Sequence, residues 1–197
     1  MNRTQSFQRA QNHLLKSAEV KCATADYCLE DIVTAAERIV DTFRIGNKLL
    51  LCGNGGSAAD CQHMATEFTS RLTKEFVRPA LPAIALTLDS SFLTGFANDY
   101  GFDDVFVRLV EAFGKPGDVL LGISTSGNST NVIRAVQAAR SRQLITIALM
   151  GNGGALRDLV DVAITVPNDS TQYIQEAHLA VEHIICDLVE QALYGHS

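Results

Sequence analysis

The chain has 197 residues, the size of one domain, and it lacks room for separate cofactor-binding and substrate-binding domains. Hydrophobic residues make up 47% of it and charged residues 19%, a balance that excludes an intrinsically disordered protein. Lys and Arg number 16 against 22 Asp and Glu, and the net charge of −6 argues against a general nucleic-acid-coating role, which needs clustered cations.

The first twenty residues, MNRTQSFQRAQNHLLKSAEV, hold no apolar core and no cleavage signature of a secretory signal. No stretch approaches the roughly 18–20 apolar residues that span a bilayer. Two amphipathic helices are expected next. Phe7, Leu14, Leu15 and Ala18 recur at helical spacing, as do Ile32, Ala35, Ala36, Ile39, Val40 and Phe43. Asp26 or Asp31 is the expected start of the second helix, and Gly46-Asn47 its stop. Short apolar runs then read as strands buried on both faces: 48–53, 82–88, 118–124, 144–151 and 161–167. Helical patterns separate them at 57–72, 101–113 and 127–141, with a shorter one near 154–159. A long final helix is expected from Thr171 to Tyr194.

Strands alternating with helices imply right-handed crossovers, and so an α/β fold with a five-stranded parallel doubly wound sheet and extra N-terminal helices. Without repeats, low-complexity tracts or linkers, residues 1–197 form a single domain, and residues 1–46 are its helical extension. The five cysteines, Cys22, Cys28, Cys52, Cys61 and Cys186, form no C-x-x-C pair. They read as buried reduced thiols of a cytoplasmic protein.

In such a sheet, ligands bind beyond the carboxyl ends of the strands. The turns there are CGNGGS (52–57), STSGNS (124–129) and MGNGG (150–154), rich in glycine and small polar residues. Ser124, Thr125, Ser126 and Ser129 place four hydroxyls on one turn at a helix start. Hydroxyls with backbone N–H donors can hold a phosphate dianion without lysine. One such hydroxyl is ordinarily a helix cap, but four in six residues favour phosphate. Gly53, Gly55 and Ala58 also satisfy G-x-G-x-x-A, a dinucleotide fingerprint. The acid expected about 20 residues further on is missing, since the candidate Asp89 comes 36 residues after Gly53. A nicotinamide enzyme is therefore an outsider.

His63 and Glu67, at i and i+4, share one helix face. The pair suits two ligands for a divalent metal, or a base beside its orienter. Most such pairs are surface pairs, but this face begins six residues beyond a glycine-rich ligand turn. The final helix reads QEAHLAVEH, with Gln175, Glu176, His178, Glu182 and His183. Leu179, Ile184, Cys186, Leu188 and Val189 are its expected packed stripe. His178 reads as a satisfied interface histidine, and Glu176 and Glu182 as solvated. Gln175 and His183 are about 12 Å apart along the helix, so one metal joins both only if the helix end is irregular or the side chains reach toward each other.

CGNGGSAADCQHMATEF, FANDYGF, GDVLLGISTSGNS and YIQEAHLAVEH resemble the phosphoheptose isomerases of the sugar-isomerase (SIS) domain superfamily, over nearly the whole chain. The resemblance implies a flavodoxin-like SIS domain converting sedoheptulose 7-phosphate to D-glycero-D-manno-heptose 7-phosphate through an enediol, for bacterial surface polysaccharide. Carried over by motif, Asn54, Gly55, Gly56, Ser57, Glu67, Asn98, Asp99 and Gln175 contact substrate. Ser124, Thr125, Ser126 and Ser129 hold the 7-phosphate. One zinc per subunit is bound by His63, Glu67, Gln175 and His183, with Glu67 as catalytic base and His183 as acid. The resemblance further implies a homotetramer assembled with help from residues 1–46, with active sites between subunits. The expected partner is a small sugar phosphate, with no nucleic acid and no membrane. The DnaA initiator-associating proteins resemble these isomerases too, as non-catalytic binding proteins lacking the acid/base pair. Glu67 and His183 are present here, which favours the enzyme. One departure is Asp169-Ser170-Thr171-Gln172-Tyr173, which lacks the Asp and Arg of some family members.

Overall fold

Three apolar runs set the centre of the molecule. The computed structural model describes residues 1–74 and 76–195. β1 (Leu49–Gly53) and β3 (Val119–Ser124) are buried at every position, and β4 (Ile145–Met150) at all but its first. With β2 (Ala83–Ala85) and β5 (Val162–Thr165) they form one parallel sheet in the order β2-β1-β3-β4-β5. The doubly wound sheet expected from the alternating pattern is the one observed.

Alternate side chains of each strand feed opposite cores, as the two-residue period of a strand requires. Leu49, Leu51, Leu121 and Ile147 pack with α2 (Leu29–Arg44), α3 (Gly56–Thr69) and α7 (Thr171–Tyr194). Leu50, Cys52, Leu120 and Ala148 pack with α5 (Val105–Phe113) and α6 (Thr130–Ser141). Ile84 stays 38% exposed because β2 is an edge strand.

The long N-terminal helix α1 (Arg3–Tyr27) starts with a capping box. Asn2 Oδ1 accepts from Gln5 N and Gln5 Oε1 accepts from Asn2 N, both at 2.9 Å. It buries only Ser17, Val20 and Thr24 within the chain, so Phe7, Leu14 and Leu15 form no packed stripe here and lie exposed. Cys28 serves as both the C-cap of α1 and the N-cap of α2. The second helix therefore begins at Leu29 rather than at Asp26 or Asp31. Glu30 and Asp31 fall in its first turn, where carboxylates suit the helix dipole.

The expected strand 82–88 is cut to three residues, the helix expected at 101–113 is shortened to α5, and a further helix, not expected, precedes it. Asp89 accepts from Phe92 N at 2.9 Å and so caps α4 (Ser90–Tyr100). This helix has no fully buried residue, but Phe92, Leu93, Phe96 and Ala97 recur at helical spacing and pack partly buried against the α5–α6 core. A 3-10 turn, Ala155–Asp158, stands where the short helix was expected. Of the five free cysteines, Cys22 is exposed and the other four are buried. Among the described residues no helix is long and apolar enough to cross a membrane.

Candidate active site

Strand order reverses between β1 and β3, so the chain leaving β1 turns one way and the chain leaving β3 the other. A crevice opens there. The two strands stay paired as far as Gly53↔Ile123, so Asn54 leaves the end of β1 beside Ser124, the last residue of β3. Asn54 and Asn131, on the first turn of α6, clasp across this point. Asn54 Nδ2 donates to Asn131 Oδ1 at 2.8 Å, and Asn131 Nδ2 donates to Asn54 Oδ1 at 2.9 Å.

The hydroxyl turn is built as a cluster. Ser124 Oγ lies 3.0 Å from Ser129 Oγ and 3.5 Å from Ser126 Oγ. Asn128 N donates to Ser126 Oγ at 3.2 Å. Ser129 occupies the N-cap of α6 but makes no side-chain cap bond; its hydroxyl faces Ser124 instead. The ordinary reading of that serine as a helix cap is thus not the one observed. Gly127 has a φ of +63°, and a Cβ there would meet the Gly153 carbonyl and the Met150 side chain, so only glycine lets this turn lie on the 150–154 turn. Thr125 O accepts from Gly151 N at 3.1 Å, tying the same two turns together.

On the other wall, α3 and α7 converge. His63 Nε2 and His183 Nε2 are 2.8 Å apart, and Glu67 Oε1 is 3.7 Å from His63 Nε2. Gln175 lies over the start of α3: a Cβ on Gly56 would come within 2.5 Å of Gln175 Nε2. His63, Glu67, Gln175 and His183 therefore sit along one α3–α7 seam. Ser57 is buried beneath the β1 turn. Asn98 and Asp99 are bound to each other, Nδ2 to Oδ1 at 2.9 Å, on exposed α4. No hydrogen bond among the described residues joins either of them to the seam.

Sequence reasoning missed the clamp behind this seam. Arg78, almost fully buried, donates to the Glu67 and Phe68 carbonyls at 2.6 Å each and to Glu190 Oε1 at 2.6 Å. It thereby caps the end of α3 and ties it to α7. A buried arginine facing a late-helix glutamate leaves no periodic signal. Asn131 was missed for the same reason: its burial is a tertiary fact.

Three readings of α7 need correction. Glu182 is fully buried, with neither carboxylate oxygen partnered among the described residues; burial, helped by the charge of Asp60, pushes its pKa up to about 9. His178 is also fully buried, with neither ring nitrogen hydrogen-bonded among the described residues, and burial drives its pKa down to about 4. Glu176 is tied to α1, with His13 Nε2 2.7 Å from its Oε1. Ser17 first, and His13 second, hold that carboxyl below its usual range. In addition, Leu179 and Ile184 are partly exposed at 38% and 43%.

Residues 15–151 match the model of the SIS domain family. The chain is 55% identical to the phosphoheptose isomerase of Chlorobaculum tepidum over 182 residues, covering 91% of this chain and 87% of that protein. It is 53% identical to the phosphoheptose isomerase of a Roseiflexus species over 179 residues, 90% of each chain. A solved phosphoheptose isomerase from Neisseria gonorrhoeae superposes with a TM-score of 0.88 at 44% identity, covering 93% of this chain and 98% of that one. Another, from Francisella tularensis, gives 0.90 at 37% identity, with 94% and 98% covered.

Proposed function

Because the chain belongs to the phosphoheptose isomerases of the SIS domain family, we propose that the α3–α7 seam isomerises sedoheptulose 7-phosphate to D-glycero-D-manno-heptose 7-phosphate, supplying heptose for bacterial surface polysaccharide. The observation that carries this reading is the meeting of His183 with His63 at 2.8 Å, Glu67 being 3.7 Å from the latter, on a wall of the switch-point crevice.

An aldose–ketose shift needs a base that moves a proton between neighbouring carbons and a donor for the oxygens on which charge develops. Glu67 takes the proton from C1 of the ketose and returns it to C2 of the enediol. His183 gives a proton to the C2 oxygen and accepts one from the C1 oxygen. The Ser124, Thr125, Ser126 and Ser129 hydroxyls, with the N-terminal amides of α6, hold the 7-phosphate. That anchor fixes the other end of the sugar against Asn54, Gly55, Gly56, Ser57 and Gln175.

Among the described residues no three His, Cys, Asp or Glu side chains form a ready metal cage. The donor chemistry nevertheless suits zinc: two imidazole nitrogens in contact, a nearby carboxylate and the amide of Gln175. His63, Glu67, Gln175 and His183 would hold it. Bound there, zinc supplies Lewis-acid polarisation of the sugar carbonyl.

Assembly as a homotetramer fits the exposed Phe7, Leu14 and Leu15 of α1. It also fits the separation of Asn98 and Asp99 from the seam, since a neighbouring subunit would bring its own pair to the substrate. Four buried free thiols and a phosphorylated sugar substrate favour the cytoplasm. A purely binding role, like that of the DnaA initiator-associating proteins, is disfavoured by the presence of both Glu67 and His183. The test is incubation of the purified protein with sedoheptulose 7-phosphate, with and without a chelator, followed by detection of the aldose. Product is expected, with less after chelation. Absence of product under both conditions would contradict the isomerase reading.

A further inference from the structure

Asn131 carries none of the roles assigned above, yet it is 4% exposed and sits on the first turn of α6, directly after the hydroxyl turn. A carboxamide buried at that position needs partners, and its partner is Asn54. The two side chains exchange both hydrogen bonds, at 2.8 and 2.9 Å, in a closed ring. Each amide then retains one N–H and one carbonyl lone pair. A closed ring of this kind fixes orientation: turning one carboxamide over breaks both bonds unless the other turns with it.

Asn54 projects from the end of β1, and Asn131 from the helix that the phosphate turn opens onto. The clasp therefore joins the two lips of the crevice. We propose that Asn131 is a positioning residue for the isomerisation. It holds the Asn54 carboxamide so that the remaining N–H and lone pair face the sugar, at a fixed distance from the phosphate anchor. This inference rests on the isomerase reading, and within it on the placement of Asn54 against the sugar. It gives the chain a means of setting how far the reacting carbons lie from the phosphate.

The test is a double-mutant cycle on sedoheptulose 7-phosphate turnover, using Asn131→Leu, Asn54→Ala and both together, with inorganic phosphate as a competitive inhibitor. Asn131→Leu removes both bonds at similar volume, and kcat/KM is expected to fall about tenfold. The double variant is expected to be no worse than the poorer single variant, since Asn131 acts through Asn54. The inhibition constant of phosphate is expected to stay at the wild-type value. Should Asn131→Leu fail to fold, Asn131→Ala removes both bonds without adding bulk or charge beside the phosphate turn; the same non-additive loss is expected from it.

Wild-type kcat/KM in the folded variant would overturn the inference. So would additive losses in the cycle, or weakened phosphate inhibition, because either means that Asn131 supports α6 and its phosphate turn instead. If the wild-type protein itself yields no aldose, it is the isomerase reading that fails, and the two failures are thus distinguished.

Discussion

Glu67→Gln preserves the shape of the side chain and removes its basicity. Loss of a general base costs roughly 10²–10⁴-fold in rate, so the variant should fall at least about a hundredfold in kcat while keeping the wild-type fold. His183→Ala should lose turnover on the same scale, since alanine leaves no group to exchange protons with the sugar oxygens. Steady-state kinetics beside a circular dichroism spectrum checks both; near-wild-type turnover by either variant would remove that side chain from the chemistry. A separate expectation concerns His178, whose burial lowers its pKa from 6.5 to about 4. The folded protein then binds fewer protons there than the unfolded chain between those values. The stability this neutral imidazole contributes is complete above pH 6.5 and is lost as pH falls toward 4. Urea titrations from pH 7.5 down to 4.5 should show His178→Leu flattening the acid limb of the wild-type stability curve. An unchanged slope would mean that His178 is not titrating in the core.

Between elements, buried Arg78 bridges the Glu67 and Phe68 carbonyls at the end of α3 to Glu190 of α7. Arg78→Met strands a buried carboxylate, a loss of about 3–5 kcal/mol for a broken buried pair. Arg78→Met with Glu190→Met should recover most of it, as read from urea unfolding. No recovery would show that the guanidinium matters for the Glu67 and Phe68 carbonyls it caps rather than for Glu190. At this scale the sequence is easy to read where burial is continuous. β1, β3 and β4 announce themselves as unbroken apolar runs, and α7 as a long helical pattern with both proposed site residues, Gln175 and His183, already visible. The α4 stripe of Phe92, Leu93, Phe96 and Ala97 is short and only partly buried, and the α1–α2 break at Cys28 escapes notice because no glycine or proline marks it. Of the candidate site, the residues with chemical side chains in named motifs were legible: His63, Glu67, His183 and the hydroxyl turn. Asn131, Arg78 and the burial of Glu182 were not, because each depends on what a distant segment brings against it.

For the molecule as a whole, the long, weakly buried α1 is the feature that a single chain leaves unexplained. If it is an assembly element, charged residues on its exposed apolar face should oppose association. Leu14→Asp with Leu15→Asp should shift a tetramer to smaller species in sedimentation velocity, and activity should fall with it if Asn98 and Asp99 serve a neighbour's seam. A variant that remains tetrameric would place the interface elsewhere. The central claim concerns a proton moved by Glu67 between adjacent carbons of a phosphate-anchored ketose. Turnover of sedoheptulose 7-phosphate in D₂O, followed by mass spectrometry of the aldose, tests it most directly. The wild-type protein should form the aldose, with deuterium at C2 in the fraction of turnovers in which the proton held on Glu67 exchanges with solvent before its return, and Glu67→Gln should form almost no aldose. Aldose formed by Glu67→Gln at the wild-type rate would contradict it.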